Sequence, residues 1–486
     1  MCAHIVRWSV ALAVLGLVST TALGTDPTEW SVTSGNWSTP TNWSTGEPTV
    51  SASARINNGG TATIDQMGEI CLELRMGQNI SDLGFVHMTG GRLESDYEFI
   101  GYYSQGSGST MTTVTQDDGV HVVGWGLFMA EMPLSRSTYS LNGGRLTANR
   151  NTQIGVGGTA WFNQTGGTHE VFGTDFGTDF LMMGKEASGS GTYNLSGTGH
   201  LTSTLQEYVG YEGAGYFRQF GANTIHEAKI LNIGGKVGSN GSGRYDLEAG
   251  TLAMSQTLAI GGADGQFVQT GGAITDTVQT TVTVAGTGRY ELQNGSVNVH
   301  ELRVFGNAAS APGRGVFEQT GGSMNLDTVY LRGGDCDLAG GTFDADMLVV
   351  GEDMLYDYPD LRVLGDDASI LVGSYTQQDK GSLYSIFDVD GISAILVGST
   401  ADLDGQWYVQ DPSGTAPFGR FNIIQAGSPI VGSFDAVHLP GPDWSWGITN
   451  DRTLWVEHVP EPSSLLLLAV GGAAFRYRRL RGRRVS

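Results

Sequence analysis

Two stretches in the C-terminal third of the chain place carboxylates two residues apart in front of a glycine. They are Asp388-Val389-Asp390-Gly391 and Asp402-Leu403-Asp404-Gly405. Calcium binds carboxylate pairs, but an EF-type loop also needs further oxygen ligands and a Glu at its twelfth position, which neither stretch supplies. Asp-Gly is equally a common dipeptide of tight turns. We therefore expect turns at both places, with no metal site and no cofactor.

Residue types suited to catalysis are sparse. The chain has four Lys without a matching acidic cluster, and its His residues, such as His169, His226 and His300, fall at differing places in the repeats described below. No GxSxG, HExxH or phosphate-loop motif occurs. Cys71 and Cys336 lie far apart in the sequence, so they indicate neither a disulfide framework nor a metal-ligand spacing. The sequence predicts no catalytic residue and no enzymatic activity.

The composition favours turns and strands over helices. Gly accounts for 74 of the 486 residues, and each Gly would cost a helix roughly 1 kcal/mol relative to Ala. The formal net charge is -23, although six Arg residues lie among the last eleven positions. The rest of the chain is therefore strongly acidic, and we expect it to repel nucleic acid and anionic lipid.

One phrase recurs along the chain and predicts the elements that would carry any site. An aromatic residue, a polar residue and then Leu or Gln precede a glycine-rich turn, with a period of about 25 residues. The copies include TYSLNGGRL (138–146), WFNQTGGTH (161–169), RYELQNGSV (289–297) and VFEQTGGSM (316–324). Units this small bury their apolar side only by stacking, at about 4.8 Å per turn. The pattern predicts an all-β solenoid of about ten turns, and a β-propeller blade would need more residues per unit.

The repeat alternates between two types. Tyr139, Tyr193, Tyr245 and Tyr290 are followed by Leu two positions later, whereas the intervening Phe residues are followed by Gln164, Gln219, Gln269 and Gln319. Ladders of stacked side chains are usual in such repeats. The Gln series therefore forms either an internal ladder or an outer row that meets a ligand.

The two ends of the repeat differ from its centre. Residues 30–65 contain Trp30, Trp37 and Trp43 and resemble the opening module of exported proteins with autotransporter-type β-strand repeats. These Trp residues either cap the first turn or stack on a sugar. Residues 375–456 show longer alternating strands, which resemble the segment that joins such repeats to a sorting tail. We interpret that segment as a β-rich cap that continues the stack.

The first residues indicate export. A charge at Arg7 precedes an apolar run over residues 10–18, and small residues then suit cleavage after Gly24. An uncleaved membrane anchor is the alternative. Nine apolar residues are too few to cross a bilayer core of about 30 Å, so a cleaved signal peptide is favoured.

The last residues carry a three-part pattern. Pro460-Glu461-Pro462 precedes an apolar stretch over residues 465–475, and an Arg-rich tail with Arg476, Arg478 and Arg479 follows. This order resembles the PEP-CTERM sorting signal. The resemblance implies an exosortase that processes the chain near the Pro-Glu-Pro motif, while the Arg residues stay on the cytoplasmic side. The apolar stretch is short for a membrane core, and an ordinary tail anchor is the alternative.

Together these features predict five segments. They are a signal peptide (1–24), a Trp-rich cap (25–80), a β-solenoid (81–374), a C-terminal β module (375–458) and the sorting signal (459–486). We expect an exported, non-catalytic structural or adhesion protein of the cell envelope or extracellular matrix, held in the membrane only until it is processed. The resemblance also implies association with exopolysaccharide. The alternative is a carbohydrate-binding or lyase-like β-helix, which a groove with convergent acidic and Arg side chains would favour.

Overall fold

The computed structural model of the protein describes residues 27–105, 111–173, 180–235, 239–306, 313–351 and 358–460. Within these ranges the chain is almost entirely β-structure, and a single 3-10 turn, Pro40–Asn42, is the exception. The strands form a parallel β-solenoid of about 15 turns, so the predicted fold class is confirmed. The predicted count of ten turns was too low, because turns at both ends lack the aromatic and glycine phrase that reveals the repeat.

The N-terminal strands include two long ones that bend through a corner of the solenoid. These strands are β1 (Thr28–Glu29), β2 (Ser34–Asn36), β3 (Ser53–Ile56), β4 (Asn58–Ile64), β5 (Glu69–Met76), β6 (Leu83–Ile100) and β7 (Thr112–Met129). Every pairing among them is parallel, and β1 aligns Thr28 with Ala54 of β3. Within the part of the chain that the structure describes, the stack of turns therefore starts at Thr28.

The central strands are mostly short. They are β8 (Arg136–Leu141), β9 (Arg145–Ala148), β10 (Asn151–Ile154), β11 (Thr159–Gln164), β12 (Thr168–Val171), β13 (Phe180–Met183), β14 (Ser190–Leu195), β15 (His200–Val209), β16 (Ala214–Gln219), β17 (Ile225–Ile233), β18 (Ser242–Leu247), β19 (Thr251–Ile260), β20 (Asp264–Gln269), β21 (Ala273–Asp276), β22 (Thr281–Val284), β23 (Arg289–Leu292) and β24 (Ser296–Phe305). Three strand segments make one turn, so the strands stack in three columns. The first column holds the phrase strands β8, β11, β14, β16, β18, β20 and β23.

The C-terminal strands continue the columns and then close them. They are β25 (Val316–Arg332), β26 (Asp335–Val350), β27 (Asp360–Leu364), β28 (Ala368–Gln377), β29 (Ser382–Ile386), β30 (Ile395–Val397), β31 (Ala401–Leu403), β32 (Gln406–Gln410), β33 (Gly419–Ala426), β34 (Val431–Gly432), β35 (Ala436–His438), β36 (Trp444–Thr449) and β37 (Thr453–His458). Pairing stays parallel until β37, which runs antiparallel between β33 and β36. This antiparallel sheet covers the last turn.

Glycine corners allow the chain to turn between columns. Gly167 and Gly272 have φ of 64° and 67°, which residues with a Cβ rarely adopt. A Cβ on Gly155 would lie 2.1 Å from the backbone oxygen of Ser190 in the next turn. The corners therefore need Gly both for conformation and for the close approach of successive turns.

Aromatic rings fill the interior beside the first column. Tyr139, Phe162, Tyr193 and Phe217 are each fully buried, and their ring centroids are 4.7 to 4.9 Å apart along the stack. Ring contacts continue from turn to turn as far as Phe317, because the strand register pairs each aromatic residue with the next. Stacked rings of this kind contribute roughly 0.5–1.5 kcal/mol each beyond their burial.

Between residues 98 and 245, a polar set lies inside the solenoid at every second turn. In each set, His Nδ1 contacts the Tyr hydroxyl of the next turn, that hydroxyl donates to a Gln in the turn of the His, and His Nε2 contacts a polar residue of the preceding turn. The three sets are Glu98, Gln116, His121 and Tyr139; Thr152, Gln164, His169 and Tyr193; and Glu207, Gln219, His226 and Tyr245. All twelve residues are fully shielded from solvent. We refer to them as the buried polar sets.

These contacts correct the expected placement of the His residues and show on which side of the strands the Gln series lies. His169 and His226 were expected at differing places in the repeat, but both align with Leu201 and therefore occupy the same column. Variable corner lengths concealed this spacing. The Gln series is internal, and it alternates with Tyr hydroxyls instead of forming a ladder of amides.

The predicted caps and turns also have defined structures. Trp30, Trp37 and Trp43 are at most 3% exposed and pack edge to face, so their ring faces are closed to a sugar and cap the stack. Asp388 Oδ1 accepts the N–H groups of Asp390 and Gly391, each at 2.9 Å, which confirms a tight turn. Within the described ranges, no group of three or more His, Cys, Asp or Glu side chains could hold a metal ion. Cys71 and Cys336 are buried free thiols, and burial raises the pKa of both.

Candidate functional site

The outward surface of the first column carries two rows of side chains that run along the solenoid. In the C-terminal turns, register aligns one row as Asp335, Asp360, Ser382 and Gln406, and the adjacent row as Asp337, Arg362, Tyr384, Tyr408 and His438. Alternation along each strand places these residues on the side opposite to core residues such as Leu361 and Leu383, although Asp335, Asp360 and Ser382 are themselves buried. Parallel stacking thus brings together residues from five different turns.

Two Arg side chains and three Asp side chains form an ion-pair network in these rows. Arg362 Nη2 lies 2.8 Å from Asp360 Oδ2, and Arg362 Nη1 lies 3.2 Å from Asp337 Oδ1. Arg314 enters from the loop before β25, with Nη2 2.6 Å from Asp335 Oδ1 and Nη1 3.4 Å from Asp360 Oδ2. Both guanidinium groups are thereby committed to carboxylates of the protein.

Partial burial perturbs the acids of this network. Desolvation raises the pKa of Asp337, and Arg362 offsets only part of that rise. Desolvation likewise raises the pKa of Asp360, against the opposing effect of Arg314 and Arg362. The network is therefore a nearly neutral, hydrogen-bonding surface rather than an open anionic patch.

A cavity of about 550 Å³ opens beside the network. Its lining residues are Arg314, Tyr358, Asp360, Ser382, Tyr384, Gln406 and Tyr408. We call it the Arg-Tyr groove. Its wall presents carboxylate, hydroxyl, amide and phenol groups from three successive turns, which are donors and acceptors suited to a polar ligand.

The aromatic part of the groove is a stack of rings. The Tyr384 and Tyr408 centroids are 4.6 Å apart with planes 8° from parallel, and His438 stacks on Tyr408 at 4.3 Å. The guanidinium of Arg362 lies 5.7 Å from the Tyr384 centroid, over the other side of that ring. Ring faces are thus covered by neighbours, and the phenol of Tyr408 donates to Gln406.

No sequence motif singled out the groove, although the required signal is present. Asp335-Cys336-Asp337 and Asp360-Leu361-Arg362 each place two polar residues around an inward apolar residue. Turns of unequal length separate these stretches, so only strand register shows that they are adjacent. The predicted discriminator for a carbohydrate-related β-helix, convergent acidic and Arg side chains on one face, is present.

The residues predicted for sorting lie at the edge of the described chain or beyond it. Pro460 is the last described residue, while Gly24, Glu461, Pro462, Arg476, Arg478 and Arg479 lie outside the described residues. No helix in the described ranges is both long and apolar enough to cross a membrane, and the apolar stretch over residues 465–475 falls outside them.

The folded cap extends almost to the sorting motif. His458, at the end of β37, is 8% exposed, and its ring stacks on Trp444 with centroids 4.3 Å apart. His458 Nδ1 donates to the Ala416 carbonyl at 3.1 Å, and Nε2 lies 3.0 Å from Asp443 Oδ2. The Val459 N–H donates to the Asp443 carbonyl at 2.9 Å. Ordered structure therefore continues to the residue before Pro460.

Comparison with protein families gives a match at this same point. The family model of the PEP-CTERM protein-sorting motif matches residues 458–483. The C-terminus is a PEP-CTERM sorting signal. This signal implies that the chain is exported and sorted by an exosortase, and its first matched residue is His458 at the end of the cap. No curated protein matches the chain, so the likeness to autotransporter-type repeats stays a prediction.

Proposed function

We propose that the mature protein is a non-catalytic structural rod of the cell surface or extracellular matrix. The observation that supports this role is the continuous stack of about 15 turns, which occupies the described chain from Thr28 onward and has a filled interior. A parallel solenoid pairs its backbone from turn to turn, and covered ends stop further strands from adding. Such a body serves as a rigid spacer or scaffold.

The junction between the cap and the PEP-CTERM signal supports processing that leaves this rod intact. Ordered contacts reach Val459, and the Pro-Glu-Pro motif starts at the next residue. Cleavage near the motif would therefore remove the apolar and Arg-rich tail and leave every described strand in place. In this proposal the tail holds the precursor in the membrane only until the exosortase acts, and exopolysaccharide is the partner of the released or attached rod.

The test is cell fractionation with intact-mass measurement of the protein made in its own cells, beside the Glu461→Ala variant. We expect the wild-type chain to end near residue 460 on the surface or in the medium, and the variant to keep its tail in the membrane. A matched control, Glu457→Ala in β37, changes an acid of the cap outside the Pro-Glu-Pro motif. If the wild type and Glu461→Ala both keep the full tail, the segment is only an anchor and the proposal fails.

The Arg-Tyr groove favours a second candidate function, a carbohydrate-related β-helix. Acidic and Arg side chains converge there, as an enzyme that cleaves polysaccharides would require. Incubation of the mature rod with polysaccharides separates the two functions. New reducing ends that disappear with Arg314→Ala would support catalysis, whereas unchanged polymer length supports the structural rod.

A further inference from the structure

We propose that the Arg-Tyr groove is a binding site for a neutral, hydroxyl-rich polysaccharide that lies along the solenoid. This inference rests on the proposed surface function, since it identifies where the rod would hold its matrix partner. The observations behind it are the cavity, the ion-pair network that forms one wall, and the row of polar side chains repeated from turn to turn.

Charge selects the ligand class. Arg314 and Arg362 each bridge two or more carboxylates, so neither presents an uncompensated cation to a carboxylate or sulfate on a ligand. The chain as a whole is also strongly acidic, with 49 acidic against 26 basic residues. An anionic polymer, including nucleic acid, would meet repulsion as it approached. A neutral polymer would not.

The groups on the groove wall match hydroxyl recognition. Asp360, Ser382 and Gln406 align in one row across three successive turns, at the strand spacing of about 4.8 Å. A carboxylate accepts hydrogen bonds, an amide both donates and accepts, and a hydroxyl does either. Sugar hydroxyls offer the same mixture, and a polymer that runs along the axis could engage several turns at once.

The tyrosines contribute rigidity and edges rather than open ring faces. Tyr384 and Tyr408 cover each other, and Arg362 and His438 cover the outer sides of the pair. Stacking fixes the positions of these side chains before a ligand arrives, which lowers the entropy lost on binding. Tyr358, 53% exposed at the rim, adds an amphipathic ring that a sugar can contact.

A peptide fits the site less well. Extended peptides bind by adding a strand to an open sheet edge. The groove lies on the surface of the first column, where β27, β29 and β32 already pair with strands on both sides. It therefore offers side chains to a ligand rather than a free backbone edge.

Affinity electrophoresis of the mature rod, residues 25–460, tests the proposal. The probes are dextran and a soluble β-glucan as neutral polymers and alginate as the acidic polymer, each cast into a native gel. We expect at least one neutral polymer to retard the rod and alginate to leave it unretarded. Gln406→Ala should raise the dissociation constant by about tenfold, the loss expected for one hydrogen-bonding side chain at a desolvated contact.

Gln266→Ala is the matched control, because Gln266 occupies the same outward row of the first column several turns before the groove. It should bind as the wild type does. Three results would contradict the proposal that the groove binds a neutral polysaccharide. They are retardation by alginate alone, no retardation by either neutral polymer, and equal weakening of binding by both Gln variants. Fractionation of the same variants distinguishes the two proposals. A wild-type chain that is processed but binds no glycan would contradict the binding site in the groove and leave the proposed surface rod standing. An unprocessed chain would contradict the proposed surface rod.

Discussion

The turns between residues 98 and 292 and those between residues 335 and 410 share one backbone plan but differ in what fills the interior beside the first column. In the central turns, the buried polar sets occupy the interior. In the C-terminal turns, the column that holds aromatic rings and Gln in the centre continues with the buried residues Cys336, Leu338, Leu361 and Val363. The charged residues lie on the opposite side of these strands, where Asp335 and Asp360 are also buried.

The two regions differ in where their polar groups find hydrogen-bonding partners. A buried polar group must find all its partners inside the protein, because an unpaired one costs roughly 1–3 kcal/mol. The buried polar sets therefore determine the order of the turns, because the Tyr hydroxyl of one turn donates its hydrogen bond to the Gln side chain of the turn before it. Outward groups of the C-terminal turns keep part of their hydrogen-bonding capacity for water or a ligand.

Hydrogen bonds also fix the protons inside the sets. Gln116 Nε2 donates to two backbone carbonyls, so its Oε1 must accept the Tyr139 proton, and His121 Nδ1 must then donate to the Tyr139 oxygen. His121 Nε2 faces Glu98 at 2.7 Å, so one proton is shared between them. The pair is neutral overall, either as imidazolium and carboxylate or as imidazole and carboxylic acid. His226 and Glu207 repeat this arrangement, whereas Thr152 replaces the Glu beside His169.

The largest effect should come from breaking one His and Glu pair. Glu207→Leu leaves His226 Nε2 buried without its acceptor, and removal of one partner of a buried pair costs about 3–5 kcal/mol. Urea denaturation measures the free energy of unfolding. The double variant Glu207→Leu with His226→Leu should recover most of the loss, because Leu231 and Leu252 occupy the same two columns one turn later. A double variant as unstable as the single one would contradict the role of the pair.

The next effect depends on pH and isolates the set that lacks a Glu. Burial lowers the pKa of His169 from its usual value of 6.5 to about 3. Between these values the unfolded chain binds a proton that the native chain does not, so His169 makes stability fall with falling pH by about 1.4 kcal/mol per unit; above pH 6.5 it has no such effect. His169→Leu, with Leu146 and Leu201 as precedents in that column, should remove this slope from the urea midpoints. His300→Ala, at an exposed His, should keep it; identical slopes in wild type and His169→Leu would refute the assignment.

A smaller effect compares two Gln residues where the buried sets end. Tyr290 donates to Gln269 Oε1 at 2.7 Å, whereas Gln319 Oε1 is buried without a partner because Cys336 stands where the next Tyr would be. Tyr290→Phe should therefore destabilise by about 1–3 kcal/mol. Gln319→Leu should change the unfolding free energy by less, since it also removes an unsatisfied oxygen. Equal losses in urea denaturation would mean that hydroxyl pairing does not stabilise the sets.

The sequence predicted the solenoid because aromatic, polar and glycine positions recur in one phrase, and it predicted the PEP-CTERM signal because the three parts are contiguous. Neither the buried polar sets nor the groove could be found in that way. His121, His169 and His226 share a column, yet corner loops of unequal length separate them. Asp335 and Asp360 meet only through strand register, and Arg314 reaches both from a position just before β25. Contacts between turns depend on the exact length of each turn, which a repeated phrase does not reveal.

The smallest effect should come from the outer surface between the two regions. Arg289 bridges Glu291 and Glu318 of the next turn, and its side chain is 43% exposed. Exposed pairs contribute about 0–1 kcal/mol and are screened by salt. Arg289→Ala should therefore cost less than about 1 kcal/mol in urea denaturation at low salt, and almost nothing at about 1 M salt. A cost as large as that of Glu207→Leu, persisting in salt, would mean that outward polar groups hold the turns together as the inward ones do, and the outer rows could then no longer be regarded as free to serve binding.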